Sequence, residues 1–460
     1  MSSQTHSQPE GNGIIAKMAT ATTRWSTRWV PDAYVLAIIL TVLAGILALA
    51  FTDHGPIQLI DDWGKGFWTL LSFAMQMSLI IFTGYIVAVA PPVAKVLNAM
   101  AAWAKTPKQA VALMAFVSMG LGMFNWGLSI VGSAVFVRAV AKRVPGVDYR
   151  LLVAAAYLGL GTTWHAGLSA SSPLLVATPG HFMEKTIGII PVTDTIFSPF
   201  NLIVVAIVII VMTILAPMLH PDKANTVTVD PAVLAEMQDF EKPVRKEKTP
   251  ATAMEFSPIM SVIIGLMGVI FLFLYFRVKG LNGLDINMVN FIFLVLGIIL
   301  HGSPASLLKA AEEAGTNIWG VVLQFPFYAG IFGIVQYSGL SDVIGDFFVS
   351  FATQQTYPLI VFWYSGILNY IVPSGGSKFA IEAPYIMSAA DQLGVTHSLT
   401  MIAYSWGDMF TDIIQPFWAI PLLGVAKLKF RDIMGYCVII WLFYAVITSI
   451  AFWLGPILGA

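Results

Sequence analysis

The chain has 460 residues, of which 57% are hydrophobic and 11% charged, and its net charge is −1. Soluble domains carry a charge on about a quarter of their residues, so this composition excludes an ordinary globular protein and predicts a polytopic membrane protein. The sequence contains neither the GxxxxGK[ST] pattern of nucleotide-binding proteins nor the HExxH pattern of zinc peptidases, so ATP-driven transport and zinc chemistry lack support.

The N-terminal tail is polar. Residues 1–30 lack the apolar core of a cleavable signal peptide, and we expect them to lie in the cytoplasm. Apolar runs at 31–51 and 68–90 are long enough to cross a bilayer, and a short polar loop at 52–67 joins them. The tail and the first two spans therefore open a membrane-embedded unit.

Two interrupted segments follow. Apolar arms at about 109–122 and 130–141 are each short for a span, and the residues between them contain an Asn-Trp-Gly turn, which predicts a re-entrant hairpin. The run 151–178 is broken by three glycines and a proline, and a clean span is expected at 197–217.

Residues 220–256 are rich in charge and proline and are predicted to be a cytoplasmic linker rather than a domain. Beyond the linker the sequence predicts three spans, a second hairpin, a broken run and a last span, at 257–276, 286–300, 317–339, 357–390, 398–425 and 432–455.

The second hairpin carries the most unusual stretch of the chain. A bilayer-spanning helix does not tolerate Pro-Ser-Gly-Gly-Ser at 373–377 unless protein or a polar cavity satisfies the freed backbone groups. Lys378 and Glu382 add two charges where charge is rare. We therefore interpret 369–384 as the tip and return arm of a hairpin that faces a polar site, the alternative being a surface loop.

Weak internal matches indicate a repeat. Three gapless pairs occur in the same order, namely 61–68 with 312–319, Asn125-Trp126 with Asn369-Tyr370, and Gly132-Ser133 with Gly376-Ser377. Tyr157 and Tyr404 then place His165 opposite Asp412. Paired interrupted segments in two halves indicate a transporter binding site. We predict repeats at 31–219 and 257–460, the latter including a connecting helix.

The charge distribution predicts the orientation. With nine crossings, two non-crossing hairpins and the N-terminus inside, 19 of the 24 Lys and Arg residues lie on the cytoplasmic side and 4 lie outside. The odd extra span 257–276 inverts the second repeat, so the two hairpins enter from opposite faces and the C-terminus lies outside. The predicted fold class is therefore an all-α polytopic membrane protein with two inverted repeats.

Small and polar residues near the hairpin tips are the candidates for substrate binding. A helix N-terminus directs partial positive charge at anions, and an amide offers both donor and acceptor, which suits a carboxylate. The candidates are Asn125, Ser129, Ser133, Asn369, Ser374, Gly375, Gly376, Ser377 and Lys378. The alternative is structural: the asparagines satisfy broken backbone, the small residues permit close helix packing, and Lys378 pairs with Glu382.

Charged residues in the broken runs are the candidates for ion coupling. Asp408 and Asp412 lie four residues apart on one face, and two carboxylates so close in a low dielectric favour uptake of a proton by one of them. His165 and Glu382 complete this set, and a sodium site near Asn125, Asn369 and Asp408 is the alternative. The other histidines are expected near loops and solvated: His54, His181, His220, His301 and His397.

Four motifs carry a resemblance to a known family: Val372-Pro-Ser-Gly-Gly376, Gln415-Pro-Phe-Trp-Ala-Ile-Pro421, Gln324-Phe-Pro-Phe-Tyr-Ala-Gly330 and Ser172-Pro-Leu-Leu-Val-Ala-Thr-Pro-Gly180. From about Trp25 to its C-terminus, the chain resembles the bacterial short-chain fatty acid transporters of the AtoE type. The resemblance implies uptake of acids such as acetoacetate or butyrate across the inner membrane. It also implies membership of an ion-transporter superfamily with inverted repeats, two re-entrant hairpins and frequent homodimers.

The predicted function is a secondary carrier for small monocarboxylates that is driven by a proton or sodium gradient and needs no other cofactor. Its expected partners are the substrate, the bilayer and a second copy of the chain, with no nucleic acid. A membrane-embedded enzyme that uses Asp408, Asp412 and His165 is the alternative, as is a carrier of another small carboxylate. The polar groups are dispersed and paired between the halves, which favours a carrier over an enzyme.

Overall fold

A computed structural model of the chain describes residues 28, 31, 33–237 and 240–459, and the part of the chain it describes contains helices and connections but no strand. The predicted N-terminal tail lies, apart from Arg28, outside the described residues. Where it is described, the chain is folded into 22 α-helices, which we number in chain order.

The helices up to the linker begin and end close to the predicted breaks. They are α1 Ala33–Phe51, α2 Pro56–Gly66, α3 Leu71–Val89, α4 Pro91–Met100, α5 Pro107–Phe124, α6 Trp126–Arg143, α7 Tyr149–Leu158, α8 Ser171–Val176, α9 Glu184–Ile187 and α10 Pro199–Met218. A π-helical turn, Gly159–Thr163, and a 3₁₀ turn, Trp164–Ala166, extend α7 into the break before α8. The broken run predicted at 151–178 is therefore a helix that loses its α-helical geometry at its glycines.

The linker and the second half contain the remaining helices. They are α11 Pro231–Glu236, α12 Pro250–Glu255, α13 Pro258–Lys279, α14 Ile286–His301, α15 Pro304–Gly315, α16 Trp319–Tyr337, α17 Leu340–Val349, α18 Tyr357–Ile371, α19 Gly375–Leu393, α20 His397–Phe410, α21 Ile420–Ala426 and α22 Phe430–Leu454. A 3₁₀ turn, Asp412–Ile414, lies in the break between α20 and α21.

Helices long and apolar enough to cross a membrane confirm the all-helical polytopic fold. The described residues contain eight of them, at Tyr34–Phe51, Leu71–Val89, Pro107–Phe124, Tyr149–Val176, Pro199–Met218, Pro258–Gly283, Trp319–Tyr337 and Phe430–Leu454. Seven of these are predicted spans, and the eighth is the first arm of the first hairpin. The span predicted at 286–300 is the shorter apolar helix α14, and the run 398–425 is broken as predicted.

The prediction of a polar loop at 52–67 is wrong, because most of this segment forms helix α2. Pro56 starts this helix, where its missing N–H costs nothing, and the helix buries Leu59 and Gly66 against α16. A Cβ at Gly66 would lie 2.5 Å from the Ala329 carbonyl oxygen, so glycine permits the close approach. The low hydrophobicity of this amphipathic helix hid it from a search for apolar runs.

Eight elements recur in the two halves in the same order and with similar lengths. The helices α1 to α6, the broken segment from α7 to α8, and α10 correspond to α14 to α19, the broken segment from α20 to α21, and α22, while α13 stands between the two sets. Contacts are exchanged as well: α2 packs on α16 as α15 packs on α3, and α1 packs on α16 as α14 packs on α3.

The exchanged contacts all lie within one group of helices, which we call the frame helices, and we call a second group the core helices. The frame helices are α1–α3 and α14–α16, and the core helices are the two hairpins, the two broken segments, α10 and α22. In an 18-residue stretch of the broken segment Tyr149–Val176, 94% of the residues are buried. The corresponding share in the connecting helix at 258–283 is 17%. The interrupted backbone is therefore enclosed by protein, which is the condition under which non-helical backbone persists at membrane depth.

Candidate functional site

The tip of the second hairpin is built from residues 372–374, where α18 has ended and α19 has not yet begun. Ser374 is the N-cap of α19 but makes no side-chain cap to its backbone, and its hydroxyl instead donates to Ser377 Oγ at 2.9 Å. Backbone N–H groups in the first turn of α19 are therefore not occupied by their own cap residue. A Cβ at Gly375 would lie 2.6 Å from Asp408 Oδ2, so this tip packs against α20 at a distance that glycine alone permits.

A buried cluster of charges lies directly behind this tip. The Lys378 ammonium is 3.0 Å from Glu382 Oε1 and 3.2 Å from Asp408 Oδ1, and Asp408 Oδ2 is 2.8 Å from His165 Nδ1. The four side chains are at most 1% exposed. The predicted Lys378–Glu382 pair thus forms, and it extends through Asp408 to His165 on the other broken segment.

Lys378 has further partners that fix the position of its ammonium group. It donates to the backbone carbonyl of Ser365 at 3.1 Å and to the hydroxyl of the same residue, and it lies 4.3 Å from the centre of the Tyr404 ring. Tyr404 in turn donates its hydroxyl to the Gly375 carbonyl at 2.6 Å. Neither Ser365 nor the hydrogen-bonding role of Tyr404 was recognised from the sequence, because no local pattern links them to Lys378.

Asp412 belongs to a second, adjacent network. It accepts hydrogen bonds from Trp164 Nε1 and Asn369 Nδ2, both at 2.8 Å, and its carbonyl accepts from the Tyr157 hydroxyl at 2.9 Å. The repeat makes His165 and Asp412 equivalent positions of the two broken segments, and the described structure brings these segments together: His165 contacts Asp408, and its neighbour Trp164 contacts Asp412. The π-helical turn Gly159–Thr163 immediately precedes Trp164 and His165.

His165 is held on both ring nitrogens. Its Nε2 lies 3.1 Å from Ser171 Oγ and accepts from the Ser172 backbone N–H at 3.3 Å, and its ring stacks on Trp164 with a centroid distance of 4.3 Å. Ser172 also donates its hydroxyl to the Gly375 carbonyl at 2.9 Å. The first broken segment therefore contacts the second hairpin tip directly, and the conformation of one constrains the other.

The side chains of Asn125 and Ser129 at the first hairpin tip bond to backbone groups. Asn125 ends α5 and caps α6: its Oδ1 accepts from the Leu128 N–H at 3.0 Å, and its Nδ2 donates to the Ile80 carbonyl at 3.2 Å. Ser129 donates to the Ser118 carbonyl at 3.2 Å, and the buried Ser133 hydroxyl has no hydrogen-bond partner in the described structure. The bonds of Asn125 agree with the alternative in which this asparagine satisfies the broken backbone at its own tip.

The register of the sequence match differs between the two tips. Asn125 lies at the break of its hairpin, whereas Asn369 lies in the last turn of α18, two residues before that helix ends. Asn125, Asn369 and Asp408, the three residues suggested for a sodium site, each have hydrogen-bonding or charged partners of their own. Within the described residues, no group of three or more His, Cys, Asp or Glu side chains is arranged to hold a metal ion.

A cavity of about 870 Å³ connects the two tips to the linker. Its lining includes Trp126 and Gly127 from the first tip and Pro373 and Ser374 from the second. Trp418 joins them, because its ring packs edge-on against Trp126 at 5.2 Å and its Nε1–H donates to the Pro373 carbonyl at 2.9 Å. The family motifs at 324–330 and 415–421 contribute Phe325, Phe417 and Trp418 to the wall.

Two of the histidines expected to be solvated are buried instead. His301 ends α14, where it packs between α3 and α15, with Nε2 2.9 Å from the Ile86 carbonyl oxygen and Nδ1 2.9 Å from Ser306 Oγ. His181 is also buried, with Nε2 2.9 Å from the Gly188 carbonyl oxygen. Both follow an apolar run closely in sequence, but the adjoining turns fold back over them.

The fold resembles that of a solved transporter. Over 92% of this chain and 98% of the other, the structure is similar to the YdaH transporter of Alcanivorax borkumensis, described as having an unusual topology, with a TM-score of 0.57 and 16% identity. At that identity the likeness concerns the fold alone. Together with the apolar helices and the enclosed breaks, it defines a multi-pass membrane protein.

Sequence comparison identifies the family. Residues 14–454 match the family model described as short chain fatty acid transporter, and the chain belongs to that family. It is 42% identical to an Escherichia coli (strain K12) protein over 95% of this chain and 99% of the other, and 39% identical to a Haemophilus influenzae protein over the same shares. Both relatives carry the provisional name short-chain fatty acid transporter, so the family predicted from the four motifs is confirmed.

Proposed function

We propose that the protein is a secondary active transporter that takes up small monocarboxylates, such as acetoacetate or butyrate, across the bacterial inner membrane. The family supports the substrate class, and the cavity that reaches both hairpin tips supports a transport route. The substrate carboxylate binds at the N-terminus of α19, where Ser374 lines the cavity and first-turn N–H groups carry partial positive charge.

One observation carries this proposal: a single helix joins the cavity to the charge cluster. α19 presents Ser374 to the cavity at its N-terminus, Lys378 one turn later and Glu382 one turn after that. A substrate that binds to the first turn of α19 and shifts it therefore also moves the Lys378 ammonium group away from its carboxylate partners. Binding at the tip and the state of the cluster are in this way mechanically linked.

The proposed coupling ion is the proton. The ammonium of Lys378 already occupies the position between Asp408 and Glu382 that a sodium ion would need, and His165 occupies the second oxygen of Asp408. A proton can instead be received by a carboxylate of the cluster while Lys378 moves to the other one. In this proposal Asp408 or Asp412 carries the proton, with Glu382 and His165 adjusting to its charge.

The orientation and the assembly are part of the same proposal. The two sets of eight elements form inverted repeats at 31–219 and 257–460, with the N-terminus and the 220–256 linker in the cytoplasm and the C-terminus outside. The hairpins are re-entrant in this proposal. Because residues of the cytoplasmic linker line the cavity, the cavity opens to the cytoplasm in this conformation. The functional unit is proposed to be a homodimer, as the resemblance implies.

Uptake into proteoliposomes tests the proposal. Purified protein should concentrate labelled butyrate when an inward proton gradient is imposed, and an inward sodium gradient alone should not drive uptake. Asp408→Asn should abolish concentration against a gradient while some exchange of labelled for unlabelled substrate persists. Uptake driven by sodium alone would overturn proton coupling, and absence of monocarboxylate uptake under every gradient would overturn the proposed function.

A further inference from the structure

The linker forms part of the wall of the cavity. Met237, Phe240 and Glu241 line the same space as Trp126 and Ser374 of the two hairpin tips. Connecting segments usually run over the protein surface and leave interior cavities to other elements. Phe240 of the linker is therefore unusual in lining an interior cavity, and its position affects the shape of the cavity wall.

One end of this segment is attached to the core helices. The Tyr149 N–H donates to the Val227 carbonyl at 2.8 Å, and the Val227 N–H donates to Asp148 Oδ2 at 2.9 Å. The Tyr149 hydroxyl lies 3.9 Å from the Met237 sulfur and donates to the Ala426 carbonyl at 3.1 Å. The linker as far as Met237 is thus fixed to the ends of the two broken segments.

The other end is attached to the frame helices. The Phe240 ring packs edge-on against His301 at 5.4 Å, and the Lys309 ammonium lies 5.3 Å from the same ring. Lys309 also donates to the Glu241 carbonyl at 2.8 Å, and Lys242 donates to the His301 carbonyl at 3.4 Å. We call these five side chains and their contacts the clasp: Phe240, Glu241, Lys242, His301 and Lys309.

Apolar packing reinforces the clasp. Phe240 contacts a small apolar cluster that is separate from the main core and consists of Ile86, Val89, Ala310 and Ala314. Phe240 follows Met237 by three positions, and three residue steps span at most about 10 Å. The attachment of the linker to the core helices and its attachment to the frame helices are therefore close together, and Met237, Phe240 and Lys309 all line the cavity.

We infer that the clasp is a gate that restricts entry to the cavity from the linker side and must release when the core helices move relative to the frame. A segment this short cannot follow a large displacement of one group while both of its attachments persist. Release of Phe240 from its apolar cluster widens the mouth, and return of the ring narrows it. The role of the gate in transport rests on the proposed function, but its opening can be measured without any substrate.

Accessibility of the cavity tests the inference. In a Cys437→Ala background, Ala134→Cys introduces a thiol on the cavity wall with a small change of volume. Adding Phe240→Ala should raise the rate at which an impermeant maleimide labels this thiol from the linker side by about five- to tenfold, since each 1.4 kcal/mol is a tenfold change in population. Phe256→Ala, in a linker residue that does not line the cavity, is the matched control and should leave the rate unchanged.

A cross-link supplies the opposite perturbation. Glu241→Cys and Lys309→Cys, combined in the Cys437→Ala background, should form a disulfide on oxidation that slows labelling at position 134 and arrests butyrate uptake, and a reducing agent should restore both. Each single cysteine variant, treated in the same way, controls for oxidation alone. Unchanged labelling in Phe240→Ala, or full uptake by the cross-linked protein, would overturn the gate, while loss of uptake by the uncross-linked parent would instead count against the proposed function.

Discussion

The two hairpin tips occupy corresponding places in the two halves but differ in how their polar groups are used. At the first tip, Asn125 caps its own helix and bonds to α3, so both ends of its amide are occupied by backbone. At the second tip, Ser374 makes no such cap, and the helix it begins carries Lys378 into a cluster of buried charges. Similar elements have therefore become a fixed support on one side and a responsive element on the other.

The difference predicts which tip changes its contacts during the proposed transport. The first tip is uncharged, and Asn125 and Ser129 bond to backbone, so moving it would break hydrogen bonds with no charged partner to compensate. The second tip is held by ion pairs, and their strength depends on which groups carry a proton. We therefore expect substitutions at the second tip to affect transport, and those that break its ion pairs to lower stability as well, whereas substitutions at the first tip should affect stability alone.

The largest expected effect comes from removing the buried ammonium. Lys378→Met leaves Asp408 and Glu382 without their shared cation, and an uncompensated buried charge costs about 3–5 kcal/mol. Thermal unfolding of the purified protein in detergent should show a large loss of stability. The double variant Lys378→Met with Glu382→Gln should recover part of that loss, and equal stability of the single variant and the parent would contradict the ion-pair account.

The next largest effect separates the two tips by substrate affinity. Ser374→Ala removes a hydroxyl that faces the cavity, and loss of a hydrogen bond to a charged ligand costs about 1.5–3 kcal/mol, or roughly ten- to a hundredfold in affinity. Asn125→Ala should instead lower stability by about 1 kcal/mol through the lost cap and leave affinity nearly unchanged. Binding titrations beside thermal unfolding measure both effects, and a large loss of affinity in Asn125→Ala would return this residue to the substrate site.

A glycine pair provides a third contrast between the tips. Gly375→Ala would place a methyl group 2.6 Å from Asp408 Oδ2, and overpacking of this kind costs about 1–3 kcal/mol. At Gly127 the nearest atom to an added Cβ is Asn125 Oδ1 at 3.2 Å, so Gly127→Ala should be accommodated by a small shift. Initial uptake rates normalised to the amount of folded protein should fall strongly for the first variant only, and equal rates would show that the close approach at Gly375 is unimportant.

Much of the fold could be predicted from the sequence because hydropathy and chain breakers act locally. The glycines and prolines marked the breaks at 151–178, 357–390 and 398–425, since each interrupts a backbone ladder wherever it occurs. Helix α2 was missed because its apolar face is narrow and is completed by α16, which is distant in sequence. Local patterns thus identify elements, and they fail where another element supplies the apolar environment.

The candidate site could be predicted only in part, for the same reason. The Lys378–Glu382 pair follows from a spacing of four residues on one helix. The contact of His165 with Asp408 joins residues 243 positions apart, and no local pattern encodes it. The repeat identified the two broken segments that hold these residues, but an alignment of the two halves does not encode which aspartate His165 contacts.

The smallest expected effect concerns the bridge between the tips. Trp418 donates its Nε1–H to the Pro373 carbonyl at 2.9 Å and packs on Trp126, so it couples the responsive tip to the fixed one. Trp418→Phe keeps an aromatic ring but removes this donor, and a neutral hydrogen bond contributes about 1 kcal/mol. The bond is present in the unliganded protein, so we expect a loss of about 1 kcal/mol in stability and, because the second tip then moves more independently of the first, an affinity for butyrate lowered by at most about fivefold. Trp363→Phe, in a ring that packs on Phe410 outside the cavity wall, is the matched control. If both variants bound butyrate as the parent does, the bridge would be packing alone, and the two tips would move together for some other reason.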